Sequence, residues 1–379
     1  FQLPQGFDNH GRTWHLLGQA YELTRHIGQA PLTPSVVNKI SRIYLTKGIQ
    51  ATNAIEGNPM TEPDVAALLD GKPTKKFEVY HEREMRNVAD LLNLIEARVN
   101  DSKLEKLSLE IIKDYNKRII AGTEHEQDAV PGQLRKHSVG IANYRAVPSE
   151  DLSYLMDEYV KWINQLATYK EDDEFARFSS ATIAAIFAHM YFAWIHPFGD
   201  GNGRTARMIE GHILLTSGNV PFPVFHLLSN HYNETRAVYT QKFDESRIRN
   251  NTLIFLDYAL EGFVRGLQNQ VSIINQSTLD IAWISFTDER ITEKLDGKMS
   301  TRASRLIRWL THQNRAVAKS ELLEDGSAYG NTYVDLSEKT LTRDLKKLQE
   351  IGLIQFDSEK RILITRDIML GFLPKRLES

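Results

Sequence analysis

The chain of 379 residues contains no cysteine. That excludes disulfides and thiolate metal sites, and it fits a protein of the reducing cytoplasm. A strong charge of either sign is missing too. With 46 Lys and Arg against 49 Asp and Glu, the formal net charge is −3, so the chain as a whole is no polyanion binder by charge alone. No apolar run reads as long enough to cross a membrane, no secretory leader pattern is visible from Phe1, and no membrane partner is expected. The twelve histidines show no zinc-ligand spacing. His189 and His196 fall on either side of a helix end, and His189 reads as structural. Repeats and low-complexity tracts are absent. What is present is ordinary for a globular protein, 41% hydrophobic and 25% charged residues, with length for two or three domains.

One short run carries most of the chemistry: His196-Pro197-Phe198-Gly199-Asp200-Gly201-Asn202-Gly203-Arg204-Thr205-Ala206-Arg207. Before it, Ile183, Ile186, Phe187, Met190 and Trp194 recur at helical spacing, which predicts a buried helix over 181–195. Pro197 stops that helix. A second helix is predicted from Gly203 or Arg204 to about Thr216, ended by Gly218-Asn219. A glycine turn that opens onto a helix N-terminus is an anion site, because free N–H groups and the positive dipole end face the same ligand. His196 is the group in the run that can take a proton near neutral pH. Asp200 is a hard oxygen ligand suited to Mg²⁺ on a nucleotide phosphate. Asn202 and the N–H groups of Gly201 and Gly203 can hold phosphate oxygens, and Arg204 and Arg207, one turn apart, can fork onto others. Phe198 is expected to anchor the loop in the core. The alternative is a structural loop with a capping aspartate and surface arginines. Three glycines, a histidine and two arginines exceed what a cap needs.

Other stretches bear on this loop. Val37, Ile40, Ile43, Tyr44 and Ile49 predict an amphipathic helix leading into Thr52-Asn53-Ala54-Ile55-Glu56-Gly57-Asn58-Pro59, where Gly57 and Pro59 end it. As residues alone, Glu56 reads as an exposed glutamate near a helix end. Val130-Pro131-Gly132-Gln133-Leu134-Arg135 precedes Ser138 to Arg145, a turn followed by a short extended edge, or simply a surface hairpin. His231 to Tyr239 begins a further helix that continues to about Ser246, and the acidic run 171–174 reads as a solvated loop or helix start. Toward the C-terminus, helices are predicted over Ser300–His312, Lys319–Leu323 and Glu338–Glu350. Strands follow at Leu353–Phe356 and Arg361–Ile364, together resembling a winged helix. Lys339, Thr342, Arg343, Lys346 and Lys347 could form a DNA-reading face, or a solvated face of mixed charge, since Glu338, Asp344 and Glu350 sit among them.

The run 196–207 resembles the signature of Fic-domain proteins, His-Pro-Phe-x-(Asp/Glu)-Gly-Asn-Gly-Arg-x-x-Arg, at every fixed position. The stretch ending in Glu56-Gly57 is similar to the inhibitory motif of that family, (Ser/Thr)-x-x-x-Glu-(Gly/Asn), carried N-terminal to the core. The resemblance covers roughly Val37 to Leu267. It implies transfer of AMP from ATP to a Ser, Thr or Tyr hydroxyl of a protein target, with itself as a candidate target. His196 would be the base, Asp200 would hold Mg²⁺, and Gly201, Asn202, Gly203, Arg204 and Arg207 would bind nucleotide. Glu56 would pair with Arg207 in the place the γ-phosphate needs. It also implies a flap over the site, with Ile141, Ala142, Asn143 and Tyr144 bordering the nucleotide, and Tyr239 near the adenine. The expected fold is mainly α: a helical Fic core with a small β-hairpin flap, plus a C-terminal winged helix. The expected domains are an N-terminal helical region 1–105, a catalytic core 106–270, a linker helix 271–299 and a winged-helix-like domain 300–379. Two alternatives stand beside autoinhibited AMP transfer. One is another phosphoryl or nucleotidyl transfer; the other is a nucleotide-sensing DNA-binding regulator whose core mainly binds ATP. A homodimer is a further candidate partner arrangement.

Overall fold

The computed structural model describes residues 1–4, 6–72, 77–123, 129–141, 144–169, 172–313, 315–323 and 337–369, with backbone alone for 140, 141, 144 and 145. Thirteen α-helices occur among the described residues: α1 (Gly11–Gln29), α2 (Pro34–Ala54), α3 (Glu62–Leu69), α4 (Val79–Asn100), α5 (Leu109–Ile119), α6 (Leu152–Ala167), α7 (Glu174–Ile195), α8 (Asn202–Thr216), α9 (Leu227–Glu234), α10 (Arg236–Ile248), α11 (Leu253–Lys294), α12 (Gly297–Gln313) and α13 (Glu338–Glu350). Two antiparallel hairpins complete the set, β1 (Gly140–Ile141) with β2 (Tyr144–Arg145), and β3 (Ile354–Phe356) with β4 (Ile362–Ile364). The chain divides into two compact units, Phe1–Ile273 and Ile274–Ser379.

The first unit is built around α7. This helix is apolar on all sides, and Ala181, Ala184, Ala185 and Ala188 are fully buried, which lets α6 and α8 pack closely on it. An 18-residue window of α7 reaches a mean hydropathy of 1.4, so by length and composition it would pass as a membrane span, contrary to the reading of the sequence above. Within the fold 78% of that window is buried, and its apolar surface belongs to the core. Asp173, from the acidic run, caps the helix by accepting from the Ala176 N–H at 3.0 Å. Ser108 caps α5 in the same way, and Thr61 with Asp64 forms a capping box on α3.

Helix α2 packs against α4, α9 and the 3₁₀ turn Phe222–His226. Its seat depends on Gly48. A β-carbon there would overlap the His226 ring, which is 1% exposed and which burial pushes to a pKa of about 3, leaving it neutral. Two boundaries differ from the sequence reading. The helix expected from His231 to Ser246 is two helices, because the chain breaks at Thr235, whose hydroxyl caps back onto the His231 carbonyl at 2.7 Å. The linker helix expected over 271–299 is not a separate element: its first part belongs to α11, which is continuous from Leu253 to Lys294.

In the second unit, α12, a 3₁₀ turn (Lys319–Leu322), α13 and the β3–β4 hairpin enclose a core of Trp283, Leu306, Leu310, Leu341, Leu345 and Ile362. Val317 pairs with Ile362 through two backbone hydrogen bonds and widens the hairpin by one rung. The element order is the one read from the sequence, with a 3₁₀ turn in place of the second helix.

Gly48→Ala should lower stability by about 1–3 kcal/mol, the usual penalty for forcing extra volume into a packed contact. Urea unfolding would measure this, and an unchanged midpoint would mean that α2 is seated by other contacts.

Candidate active site

The α7 helix ends on His196, which takes a left-handed conformation with φ 53°. That conformation is uncommon for a residue with a side chain and is held by its surroundings. The main holder is Arg135, 4% exposed. Its Nε donates to the His196 carbonyl at 2.8 Å, and Nη2 donates to the carbonyls of Val147 at 2.5 Å and Ile195 at 3.4 Å. A cation is thus fixed at the C-terminal end of α7, where carbonyl groups are unpaired and the helix dipole is negative. The Arg135 N–H also bonds the Pro197 carbonyl, and Leu134 bridges to Phe198, so the strap 131–135 is tied to the loop.

Within the loop, Asn202 makes a closed pair with Phe198. Its Oδ1 accepts from the Phe198 N–H at 2.9 Å and its Nδ2 donates to the Phe198 carbonyl at 2.8 Å. At 2% exposed, this amide pins the loop and is not turned to a ligand, which corrects the assignment of its side chain to phosphate oxygens. Gly201, with φ 75°, opens α8 in a conformation that favours glycine. Asn116 on α5 donates to the Asp200 carbonyl at 2.8 Å and accepts from the Gly132 N–H at 3.0 Å, joining loop and strap. Phe198, 1% exposed, is the core anchor expected of it.

The two arginines of the run are almost completely enclosed, Arg204 at 4% and Arg207 at 1% exposed. Each meets a carboxylate from the N-terminal region. Arg207 Nη2 donates to Glu56 Oε1 at 2.6 Å and to the Thr52 carbonyl at 2.8 Å. Arg204 Nη1 donates to Glu84 Oε1 at 2.6 Å, and its Nη2 lies 3.7 Å from Asp200 Oδ1. Glu84 Oε2 accepts from Asn58 Nδ2 at 2.9 Å, which ties the turn after Glu56 to the same carboxylate. Gly203 allows Glu56 its position, since a β-carbon there would overlap Glu56 Oε1. The structure therefore brings His196, Asp200, Gly203, Arg204, Arg207 and Glu56 into one place.

Glu56 keeps 36% of its side-chain surface exposed, yet dehydration is the largest influence on its carboxyl and acts to raise the pKa. Arg207 first, then Arg204 and Arg236, outweigh that and hold it below its ordinary value. The sign follows: a depressed carboxyl pKa gives stability that is present above about 4.5 and lost only as pH falls through the lowered value. His196 is shifted down from 6.5, chiefly by burial, with Arg135 adding to it, so the ring is neutral at pH 7. Among the described residues no group of three or more His, Cys, Asp or Glu side chains forms a metal cage. Asp200 Oδ1 accepts from the Gly201 N–H, and the side chain is 30% exposed. One such carboxylate suits Mg²⁺ only together with phosphate oxygens of a bound nucleotide.

Three sequence-derived placements fare differently. Gly140↔Arg145 and Ile141↔Tyr144 form an antiparallel hairpin where the flap was expected, while Ala142 and Asn143 lie outside the described residues. The Tyr239 hydroxyl meets His189 Nε2 at 3.0 Å, and its ring packs against Tyr232, Phe243 and Phe255. It is engaged within the core, close enough to Arg207 and Glu56 to feel their charges. On α13, Lys347 pairs with Glu350, while the exposed Arg343 lies 3.4 Å from Asp344, whose charge is already met by Arg302 at 2.7 Å. Arg135, Asn116 and Glu84 were not assigned roles from the sequence, because nothing local to them signals a loop 60 to 120 residues away.

Residues 106–214 match the model of the Fic/DOC family. They form a Fic domain. The chain is 29% identical over 176 residues to protein adenylyltransferase Fic of Nematostella vectensis, covering 46% of this chain and 38% of that protein. It is 26% identical over 191 residues to protein adenylyltransferase fic-1 of Caenorhabditis elegans, covering 50% and 34%. The matched region thus spans little more than a third of these relatives. In fold, the chain is similar to a Fic family protein from Desulfovibrio desulfuricans G20, with TM-score 0.59 and 18% identity over 96% of this chain and 97% of that one. It is also similar to Fic-1 from C. elegans, with TM-score 0.55 and 20% identity over 70% and 73%.

Replacing Glu84 by Gln removes the nearer of the two carboxylates beside the enclosed Arg204 guanidinium and should cost about 3 kcal/mol, the low end for breaking a buried pair. Arg204→Met should cost a similar amount, and the double variant clearly less than the two together. Denaturant unfolding of the four proteins measures the coupling; additive losses would show that the pair contributes nothing of its own.

Proposed function

We propose that this chain is an autoinhibited protein adenylyltransferase, which moves AMP from ATP to a hydroxyl of a protein target. The observation that carries the reading is the convergence of a neutral His196 and two enclosed arginines on one glycine turn at the head of α8. The names of the relatives support it. In the transfer, the target hydroxyl oxygen attacks the α-phosphorus, its proton passes to His196, and the bond from that phosphorus to pyrophosphate breaks. Catalysis by this chain is then positioning and charge stabilisation by Arg204, Arg207 and the N–H groups of the turn. Mg²⁺, held by Asp200 with the phosphates, would neutralise charge on the leaving pyrophosphate.

Restraint follows from the Glu56 pair. While Arg207 is bound to Glu56 at 2.6 Å it is withheld from the terminal phosphate, and the α-phosphate is poorly aligned for attack. Acid does not release it in the ordinary range, because Arg207 holds the Glu56 carboxyl below its usual value.

Incubation with α-³²P-ATP and Mg²⁺, beside γ-labelled ATP, tests the reading. Glu56→Gly should label protein from the α-position at least about tenfold faster than wild type, which needs only about 1.4 kcal/mol of recovered alignment. Adding His196→Ala should lower that by roughly 10²–10⁴-fold. A band from the γ-label would mean phosphorylation, and equal labelling by wild type and Glu56→Gly would remove the inhibitory role.

The pH profile gives an independent check on His196. The base works unprotonated and its pKa lies below 6.5, so the acid limb of the kcat/KM profile of Glu56→Gly should have its midpoint below pH 6.5. An acid limb with its midpoint above pH 6.5 would rule out His196, as placed here, as the proton acceptor.

A further inference from the structure

We propose that a cavity between α2, α9 and α11 binds a hydroxylated small molecule carrying at least two anionic groups, and that this ligand fastens α2 and so reinforces the hold of Glu56 on Arg207. The regulatory half rests on the autoinhibition proposed above; the binding half does not.

The cavity has a volume of about 370 Å³, within the range of small-molecule sites. Lys47 of α2 and Arg265 of α11 both line it, and neither has an ion pair among the described residues. Two cations from two different helices without a carboxylate partner, sharing one concavity, are a fork for anionic groups. Two residues of the wall carry enclosed acceptors, which a ligand hydroxyl would reach only after a side-chain shift. Asn230 Oδ1 is enclosed and has no hydrogen-bond partner among the described residues. His231 is 5% exposed and bonds the Tyr258 backbone through one ring nitrogen, while its enclosed Nε2 has no partner among the described residues. Burial, with Arg265 adding to it, pushes the His231 pKa down to about 4. The ring is therefore neutral, and Nε2, with its lone pair, wants a donor such as a hydroxyl. Orphaned buried acceptors cost free energy until something donates to them. Glu234 lines the cavity as well, and its charge limits how many anionic groups a ligand there can carry.

The position on α2 gives the site its consequence. Lys47 lies nine residues before Glu56, roughly 13 Å along a helix at 1.5 Å per residue. A ligand that bridges Lys47 to Arg265 adds a fastening between α2 and α11 beside the Gly48–His226 contact. Because it binds best when α2 is seated, it shifts the population toward the state in which Glu56 meets Arg207.

Citrate and fructose 1,6-bisphosphate serve as probes, one for carboxylate and one for phosphate chemistry. Both would be titrated calorimetrically into the full chain with a non-hydrolysable ATP analogue present to fill the glycine turn. At least one should bind with Kd below about 1 mM, and the Lys47→Ala/Arg265→Ala variant should lose at least about tenfold in affinity. Lys47→Arg, which keeps the charge, should retain binding and so separate loss of the site from loss of fold. Amide hydrogen exchange over Ala51–Gly57 should slow when the wild type is saturated, and not in the double variant. Absence of binding by both probes, or equal binding by the double variant, overturns the site. Binding without slower exchange overturns its coupling to Glu56. Binding by one probe alone supports the site and identifies its anion. The titration needs no AMP transfer, so its failure is distinct from a failure of the transferase reading.

Discussion

Arg135, Arg204 and Arg207 each lie under 5% exposed within a helical core, and a guanidinium in that position must be met by charge or by carbonyl oxygen. The first unit is arranged around meeting them. Arg135 takes carbonyls at the end of α7, Arg204 takes Glu84 of α4, and Arg207 takes Glu56 and the Thr52 carbonyl at the end of α2. Helices remote in sequence are thereby bound to one run of twelve residues, His196 to Arg207. The apolar bulk of α7 supplies the cohesion, but it is non-directional. The guanidinium partners decide where α2 and α4 stop against the loop.

These partnerships differ in what could replace them. The carbonyls around Arg135 belong to the backbone and cannot leave without unfolding the strap. The Glu56 and Glu84 carboxylates are side chains at the edge of the same site, and a polyphosphate offers oxygens of like charge and geometry. Glu56 is more exposed than Glu84, 36% against 15%, and hangs from a turn beyond the last residue of α2. Glu84 sits inside α4 and is also tied to Asn58. Of the two, Glu56 is the one that a modest shift of its helix can withdraw.

Legibility in the sequence followed range. The loop 196–207, the helices on either side and α13 could be read from local residues, because proline, spaced glycines and apolar periodicity act within a few positions. Glu56 could be read only through a resemblance, since an exposed glutamate near a helix end is chemically ordinary. Asn116, Glu84 and Arg135 could not be assigned, because their partners are 84, 120 and 61 residues away and set by packing. Asn202 was visible as part of the run but its use was not, since the pair with Phe198 depends on loop conformation. The length of α11 and the break at Thr235 were missed for a related reason: propensity weakly constrains where a long helix ends when tertiary contacts continue it.

The electrostatics of Glu56 constrain how such a site can be governed. A carboxylate whose pKa is already depressed by the arginine it blocks cannot be titrated off that arginine near neutral pH, so proton concentration is a poor signal. Nucleotide phosphate would have to displace a contact of 2.6 Å made to a side chain that is 1% exposed. A mechanical route is also open: the pair breaks if the C-terminal turn of α2 moves, and α2 is held along its length by contacts to α3, α4, α9 and the turn at His226, whose ring is neutral. On the inhibitory role proposed for Glu56, control of this site is control of how firmly α2 is seated, and the faces of that helix are where an effector would act.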